Sequence, residues 1–336
     1  MTIDTAEIPV RIAGTGDYVP SRPVHSAEFD ERWGKPAGWT EDRTGITCRF
    51  FASADETSSF MGAEAARAAL KAAGLTPQDL DCIVFTASVS EQAIPCTAVL
   101  IHRRLGLDGS GIPAFDLNAT CLGFMVALDM MTAAITTGRF RRVLIVSSEI
   151  ASVGLNWEDT ETAPLFGDGA AAVVLEGAGD SGSTLLARHA QTFSEGADLC
   201  QVRSGGTRIR VREQLQRFLD GACFEMSGRE TYRLAARVLP QFLQSLLARA
   251  RVDVPSIACW VPHQASSKAL AHLQATLALP AERVTRIIRE RGNQIAASLP
   301  ATLHHAITAG CVKRGDLIAL VGAGAGLSLG GAVLRY

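Results

Sequence analysis

The sequence has no excess of one charge: 32 Lys and Arg stand against 34 Asp and Glu, a net of −2 over 336 residues. So balanced a chain has no global field to draw it onto nucleic acid. There is no apolar run near the ~18–20 residues that a membrane helix needs, so no membrane span is expected. The opening residues MTIDTAEIPV contain no basic stretch leading into an apolar core. No secretory leader is expected from them, and a cytoplasmic protein is the default. The eight cysteines, at 48, 82, 96, 121, 200, 223, 259 and 311, include no C-x-x-C pair. Clustered zinc ligands are therefore missing, and a large cytosolic chain is not expected to form disulfides. Each cysteine is first a small buried hydrophobe; Cys121 alone has a second reading. With 47% hydrophobic and 20% charged residues, disorder and fibres are excluded, and the length suits one large domain or two ordinary ones.

Order of elements is the strongest signal present. Ser58 and Ser59 offer an N-cap to an Ala-rich helix running to Ala73, with Gly74 as its stop. Then come a strand at Asp81–Thr86, a helix at Thr97–Leu105, a strand at Pro113–Leu117, a helix at Cys121–Thr137, and strands at Arg142–Ser147 and Ala170–Leu175. The second half repeats the series. It has helix Arg229–Ala250, strand Ser256–Val261, helix Ser266–Leu277, strand Val284–Ile288, helix Ala296–Ala309, and strands Leu317–Gly322 and Gly331–Tyr336. Starts at 58, 81, 113, 121 and 142 pair with 229, 256, 284, 296 and 317, always 171–175 residues apart. Five elements at one offset indicate an internal duplication, dividing the chain into 1–178 and 179–336. The helices Cys121–Thr137 and Ala296–Ala309 are apolar on nearly every face, so both are expected to be buried on all sides. Alternating strands and helices imply mostly parallel sheets. Two such halves with buried helices between them imply an α/β protein of five layers, α-β-α-β-α.

Some patterns lack the context that their chemistry needs. Gly326-Leu-Ser-Leu-Gly330 fits G-x-S-x-G, but a strand follows it and no acid and histidine come later. Gly322-Ala-Gly-Ala-Gly326 resembles a dinucleotide loop but opens a strand and lacks the last glycine. The stretch Arg203–Arg217 carries five arginines and one glutamate. It reads either as a solvated loop or as a docking surface for an acidic partner.

Three residues share one address, the turn just after a strand. Cys121 follows the strand ending at Leu117, His263 the strand ending at Val261, and Asn293 the strand ending near Ile288. Ligands gather at the carboxyl ends of strands in parallel sheets. If the halves pack about a pseudo-twofold axis, the buried helices start near each other, and Cys121 meets Asn293 with His263 beside them. A free thiol is mostly protonated at neutral pH, and a helix N-terminus is expected to lower the Cys121 pKa. A neutral imidazole and a carboxamide can both donate to one developing oxyanion. Nucleophile and buried hydrophobe remain alternatives for Cys121 on these grounds alone.

The segments Asp116–Phe124 (DLNATCLGF), Trp260–Ala265 (WVPHQA) and Gly292–Pro300 (GNQIAASLP) resemble the beta-ketoacyl-acyl-carrier-protein synthase III family of condensing enzymes. So do Arg43–Ile46 (RTGI), Phe166–Ala172 (FGDGAAA) and Gly322–Gly330 (GAGAGLSLG), and the likeness spans nearly the whole chain in order. The resemblance implies the thiolase fold and a homodimer. It implies that Cys121 takes an acyl group from an acyl thioester, with His263 and Asn293 stabilising the enolate formed when a malonyl thioester loses CO₂. It implies an oxyanion hole from the backbone N–H groups of Cys121 and Ala325, a coenzyme A entrance at Trp39 and Arg43, an acyl-pocket end at Ile94, and carrier docking at Lys268. Acyl carrier protein and coenzyme A thioesters are the implied partners, with no cofactor and no metal.

Several positions depart from the family pattern. Thr160 stands where an adenine-stacking arginine is common, Ile94 where a phenylalanine is common, and the entrance segment Glu31–Gly38 is longer than expected. A specialised lipid or polyketide pathway is therefore as open as primary fatty-acid synthesis. Two other functions compete with condensation. One is a same-fold acyltransferase moving the acyl group to a hydroxyl or amine, which the presence of Asn293 disfavours. The other is a non-catalytic partner subunit, which the presence of Cys121 disfavours.

Overall fold

The computed structural model describes residues 7–336. The first six, most of the stretch read for a leader, lie outside the described residues. Strands that are apolar on both alternating faces must be covered on both sides, and the chain provides several. In Arg142–Glu149 (β4), Val143 and Ile145 enter one core cluster while Leu144 and Val146 enter another. In Leu317–Gly324 (β8), Ile318 and Leu320 face the first of these clusters while Ala319 and Val321 face a third.

The first sheet contains Val10–Tyr18 (β1), Cys82–Thr86 (β2), Ala114–Leu117 (β3), β4 and Gly169–Gly177 (β5), in the order β1-β5-β4-β2-β3. The second contains Thr184–Thr192 (β6), Cys259–Pro262 (β7), β8 and Ser328–Arg335 (β9), in the order β6-β9-β8-β7. The central cluster between the sheets draws on the helices Gly123–Thr136 (α3), with Phe124, Leu128 and Met131, and Ser298–Thr308 (α6), with Leu299 and Leu303; α3 is not buried on all sides as expected, since Met130 is exposed. Outside the first sheet lie Ser58–Ala73 (α1) and Thr97–Arg104 (α2). Outside the second lie Gly228–Ala250 (α4) and Ser267–Thr276 (α5). That is the expected five-layered order. Among the described residues no helix is long and apolar enough to cross a membrane.

Three further expectations are corrected. The sheets are mixed rather than mostly parallel: β2 is parallel to β3 and β4, and β7 to β8, but β1–β5, β4–β5, β8–β9 and β9–β6 are antiparallel. Neighbouring strands run parallel only where a long crossover separates them; β8 and β9 are joined by a tight turn instead. The strand expected at 284–288 is reduced to a single bridge between Trp260 and Val284. The buried Gln264 side chain occupies the backbone there, accepting from Ile287 and Ile288 N–H (3.0 and 3.2 Å) and donating to the Thr285 carbonyl (3.2 Å). Finally, α1 is capped by Thr57, whose hydroxyl accepts from Phe60 N–H, rather than by Ser58 or Ser59.

Candidate active site

Cys121 does not open α3 itself. It sits in the 3₁₀ turn Thr120–Leu122 that links β3 to the helix. Asn118 shapes this turn, accepting from Thr120 N–H (2.9 Å) and donating to the Ser88 carbonyl (3.2 Å). Thr120 takes the left-handed conformation, φ 51°, which side chains other than glycine rarely adopt. The helix can approach β2 this closely because residue 123 is glycine: a Cβ there would lie 2.8 Å from Thr86 Cβ. A matching turn, Ile295–Ala297, precedes α6, and Ile295 is also left-handed at φ 50°. The two turns are in contact.

The backbone N–H groups of Ala325 and of Cys121 are near enough to the Cys121 sulfur to favour its thiolate. Ala325 lies in the turn joining β8 and β9. The expected lowering of the thiol pKa is overturned. Burial pushes it up to about 12 and the nearby Glu149 carboxyl adds to the rise, so the two N–H groups only partly compensate. The sequence argument weighed the helix terminus without the loss of solvent around the sulfur.

His263 follows β7, and its N–H donates to the Val321 carbonyl (2.8 Å). Its ring is buried, which lowers its pKa to about 4 and keeps it neutral. The ring Nδ1 lies 2.5 Å from the Ser298 hydroxyl. Asn293 is held by backbone pairing rather than by a preceding strand: its N–H donates to the Leu165 carbonyl (2.7 Å) and its carbonyl accepts from Gly167 N–H (3.1 Å). Its side-chain oxygen accepts from Ile295 N–H (2.9 Å), and its Nδ2 donates to the Ala265 carbonyl (3.3 Å), which commits one of two amide protons.

Glu149 and Ser298 belong to the same neighbourhood and were not singled out from the sequence. Glu149, at the end of β4, accepts from Ser88 N–H (2.6 Å) and Ala296 N–H (3.4 Å), tying the segment after β2 to the turn before α6. Burial raises its pKa to about 7 against those bonds. Its place at the carboxyl end of a strand, the rule that located Cys121, was the available signal. Ser298 carries no such mark.

Trp39 and Arg43 lie on the short helix Trp39–Thr44, capped by Asp30 through Gly38 and Thr40 N–H (2.8 Å each). The Arg43 guanidinium lies 4.7 Å over the Trp39 ring and 3.8 Å from Glu161. That helix abuts the first turn of α5, where the Ser267 hydroxyl donates to the Thr44 carbonyl (2.7 Å); the exposed Lys268 follows on the same rim. Of the Arg203–Arg217 stretch, Arg203 pairs with Glu225 and Arg210 with Glu213, while Arg208, Arg212 and Arg217 are exposed. Ile94 is not brought into an acyl pocket within this chain: it is 86% exposed. Among the described residues no group of three or more His, Cys, Asp or Glu could hold a metal ion.

The family model for 3-oxoacyl-[acyl-carrier-protein] synthase III matches residues 115–194, and that for the family's C-terminal part matches 247–336. The chain is 35% identical over 326 residues to beta-ketoacyl-[acyl-carrier-protein] synthase III of Methylococcus capsulatus, covering 97% of this chain and 98% of that one. The same enzyme of Aquifex aeolicus is 34% identical, with 97% and 99% covered. Its crystal structure superposes with a TM-score of 0.87 over 97% of this chain and 100% of that one. Xanthomonas campestris OleA, 22% identical with a TM-score of 0.85 and 98% of each chain covered, shares the fold.

Proposed function

Because the chain belongs to the 3-oxoacyl-[acyl-carrier-protein] synthase III family, we propose that its condensing reaction is carried by Cys121, His263 and Asn293 within the thiolase fold. The protein is a ketoacyl synthase III, a transferase that extends acyl thioesters in fatty-acid biosynthesis. The observation supporting the residue roles is the meeting of the turns bearing Cys121 and Ile295, two residues beyond Asn293, with His263 anchored to the β8 strand that leads to Ala325.

The acyltransferase half-reaction begins with the Cys121 sulfur attacking the carbonyl of an acyl thioester. The Cys121 and Ala325 N–H groups hold the oxyanion, and the donor leaves as a free thiol. A malonyl thioester then loses CO₂, and the electron pair of the broken bond becomes an enolate. Its oxygen accepts from His263 and from the uncommitted Asn293 amide proton. The enolate carbon attacks the acyl-cysteine, and collapse releases a 3-ketoacyl thioester and the sulfur of Cys121. These are acyl transfer, decarboxylation and carbon–carbon bond formation, so no metal or redox cofactor is needed.

Trp39 and Arg43 receive a coenzyme A donor, and Lys268 engages acyl carrier protein in the cytoplasm. Ile94 closes the acyl pocket once a second copy covers it. Its exposure, with that of Val89 and Val153, supports a homodimer. The test is incubation with a labelled acyl donor, then with malonyl-carrier, followed by mass spectrometry. Label on Cys121 and then in a 3-ketoacyl product is the expected result. Transfer of label to a hydroxyl or amine without CO₂ release would overturn condensation.

Charge reversal at Lys268 with Arg208 and Arg212 is expected to raise KM for malonyl-carrier roughly three- to tenfold, in a salt-sensitive way. Small thioester substrates should be nearly unaffected. An equal loss on both kinds of substrate would remove the docking role.

A further inference from the structure

Ser298 opens α6 with its side chain fully buried, and its hydroxyl oxygen lies 2.5 Å from His263 Nδ1. The Gln264 backbone N–H also points at that oxygen, from 3.1 Å, so the hydroxyl is already accepting one hydrogen bond. A hydroxyl still has one proton to place, and where water is excluded that proton needs an acceptor. Thr302, one turn on, donates to the Ser298 carbonyl (2.7 Å) rather than to its hydroxyl. Among the described residues, His263 Nδ1 is the acceptor within reach of that proton.

We propose that Ser298 is a positioning residue for condensation: it donates to Nδ1 and so holds neutral His263 as the Nε2–H tautomer, which presents a donor to the thioester oxygen. The inference rests on the reading of His263 as an enolate donor. A neutral imidazole has one proton for two nitrogens, and the partner at one nitrogen decides what the other can do. With Nδ1 accepting, Nε2 carries the proton and matches the Asn293 amide as a second donor. With Nδ1 donating, Nε2 would be a lone pair facing an oxyanion, a repulsive arrangement.

The test combines nitrogen-15 NMR of histidine-labelled protein with single-turnover kinetics. The His263 signals are identified by their loss in His263→Ala. The parent is expected to show an unprotonated Nδ1 and a protonated Nε2 at neutral pH. Ser298→Ala should shift His263 towards the other tautomer and slow malonyl decarboxylation roughly tenfold, the weight of one neutral hydrogen bond. Acyl loading should stay within about twofold, since the backbone oxyanion donors are untouched. Ser298→Thr keeps a hydroxyl and should retain both the tautomer and the decarboxylation rate. A protonated Nδ1 in the parent would overturn the proposal. So would parent-rate decarboxylation in Ser298→Ala when His263→Ala has lost it. Parent-rate decarboxylation in His263→Ala would instead remove the underlying role of His263, a failure that leaves the NMR result standing.

Discussion

Cys121→Ala is expected to take up no acyl label and to lose turnover more than ~1,000-fold, because the covalent half of the proposed reaction runs through that one sulfur. Cys82 and Cys259 are buried and Cys311 is exposed just past the end of α6, whereas Cys200 lies near enough to add to the rise of the Cys121 pKa and is the cysteine that the mapping must separate from it. Peptide mapping after exposure to an acyl donor checks this; acyl mass at any other cysteine would remove the nucleophile assignment. The pH dependence follows from the surroundings of the sulfur. Burial and Glu149 push the thiol up to about 12, so at neutral pH it is mainly protonated and loading should quicken as pH rises. Glu149, itself raised to about 7 by burial, gains charge over the same range and holds the thiolate back further. The parent profile should therefore be shallower than that of Glu149→Gln. In that variant the thiol titrates at lower pH, and loading at neutral pH rises several-fold. The Gln carbonyl can still accept from Ser88 and Ala296, so the turns keep their anchor.

What was legible in the sequence was whatever a single local rule could carry. Helices apolar all round declared the middle layer, and positions just after strands declared Cys121 and His263. Harder to read were features set by distant partners. Strand β1 contains Gly14 and Gly16, where an added Cβ would sit 2.3 Å from the Ala69 carbonyl oxygen and 2.5 Å from that of Ala65. Those glycines look like loop residues and are instead the surface on which α1 rests. With β1 and β6 unseen, the duplication lacked the first strand of each half. The stretch 284–288 has a strand's composition, but a glutamine 20 residues earlier claims its backbone. The direction of the Cys121 shift depends on how deeply the sulfur is enclosed, which no local pattern records. Ser298 lies five residues past Asn293 and becomes meaningful only when α6 brings it to His263.

Asn293→Ala is expected to separate the two half-reactions. Loading needs the Cys121 sulfur and the N–H groups of Cys121 and Ala325, none of which Asn293 supplies. Decarboxylation leaves negative charge on the malonyl thioester oxygen, and there the proposed mechanism makes Asn293 one of two side-chain donors. Removing one donor from an oxyanion site costs about 2.7–4 kcal/mol, or ~100–1,000-fold in rate. Condensation should fall by that factor while acyl loading stays near the parent rate. The alanine also frees Ile295 N–H and the Ala265 carbonyl, which Asn293 now satisfies, so Asn293→Asp is a needed companion. It keeps an acceptor for Ile295 but places an anion against the enolate, and should condense no faster than the alanine variant. His263→Ala should lose condensation to a similar degree, since it removes the other side-chain donor to the thioester oxygen. Single-turnover measurements that follow label on Cys121 and CO₂ release separately distinguish these patterns. Release of CO₂ at the parent rate by Asn293→Ala would take away the condensing role of the amide and return Asn293 to a purely structural part, holding the Ile295 turn against Ala265.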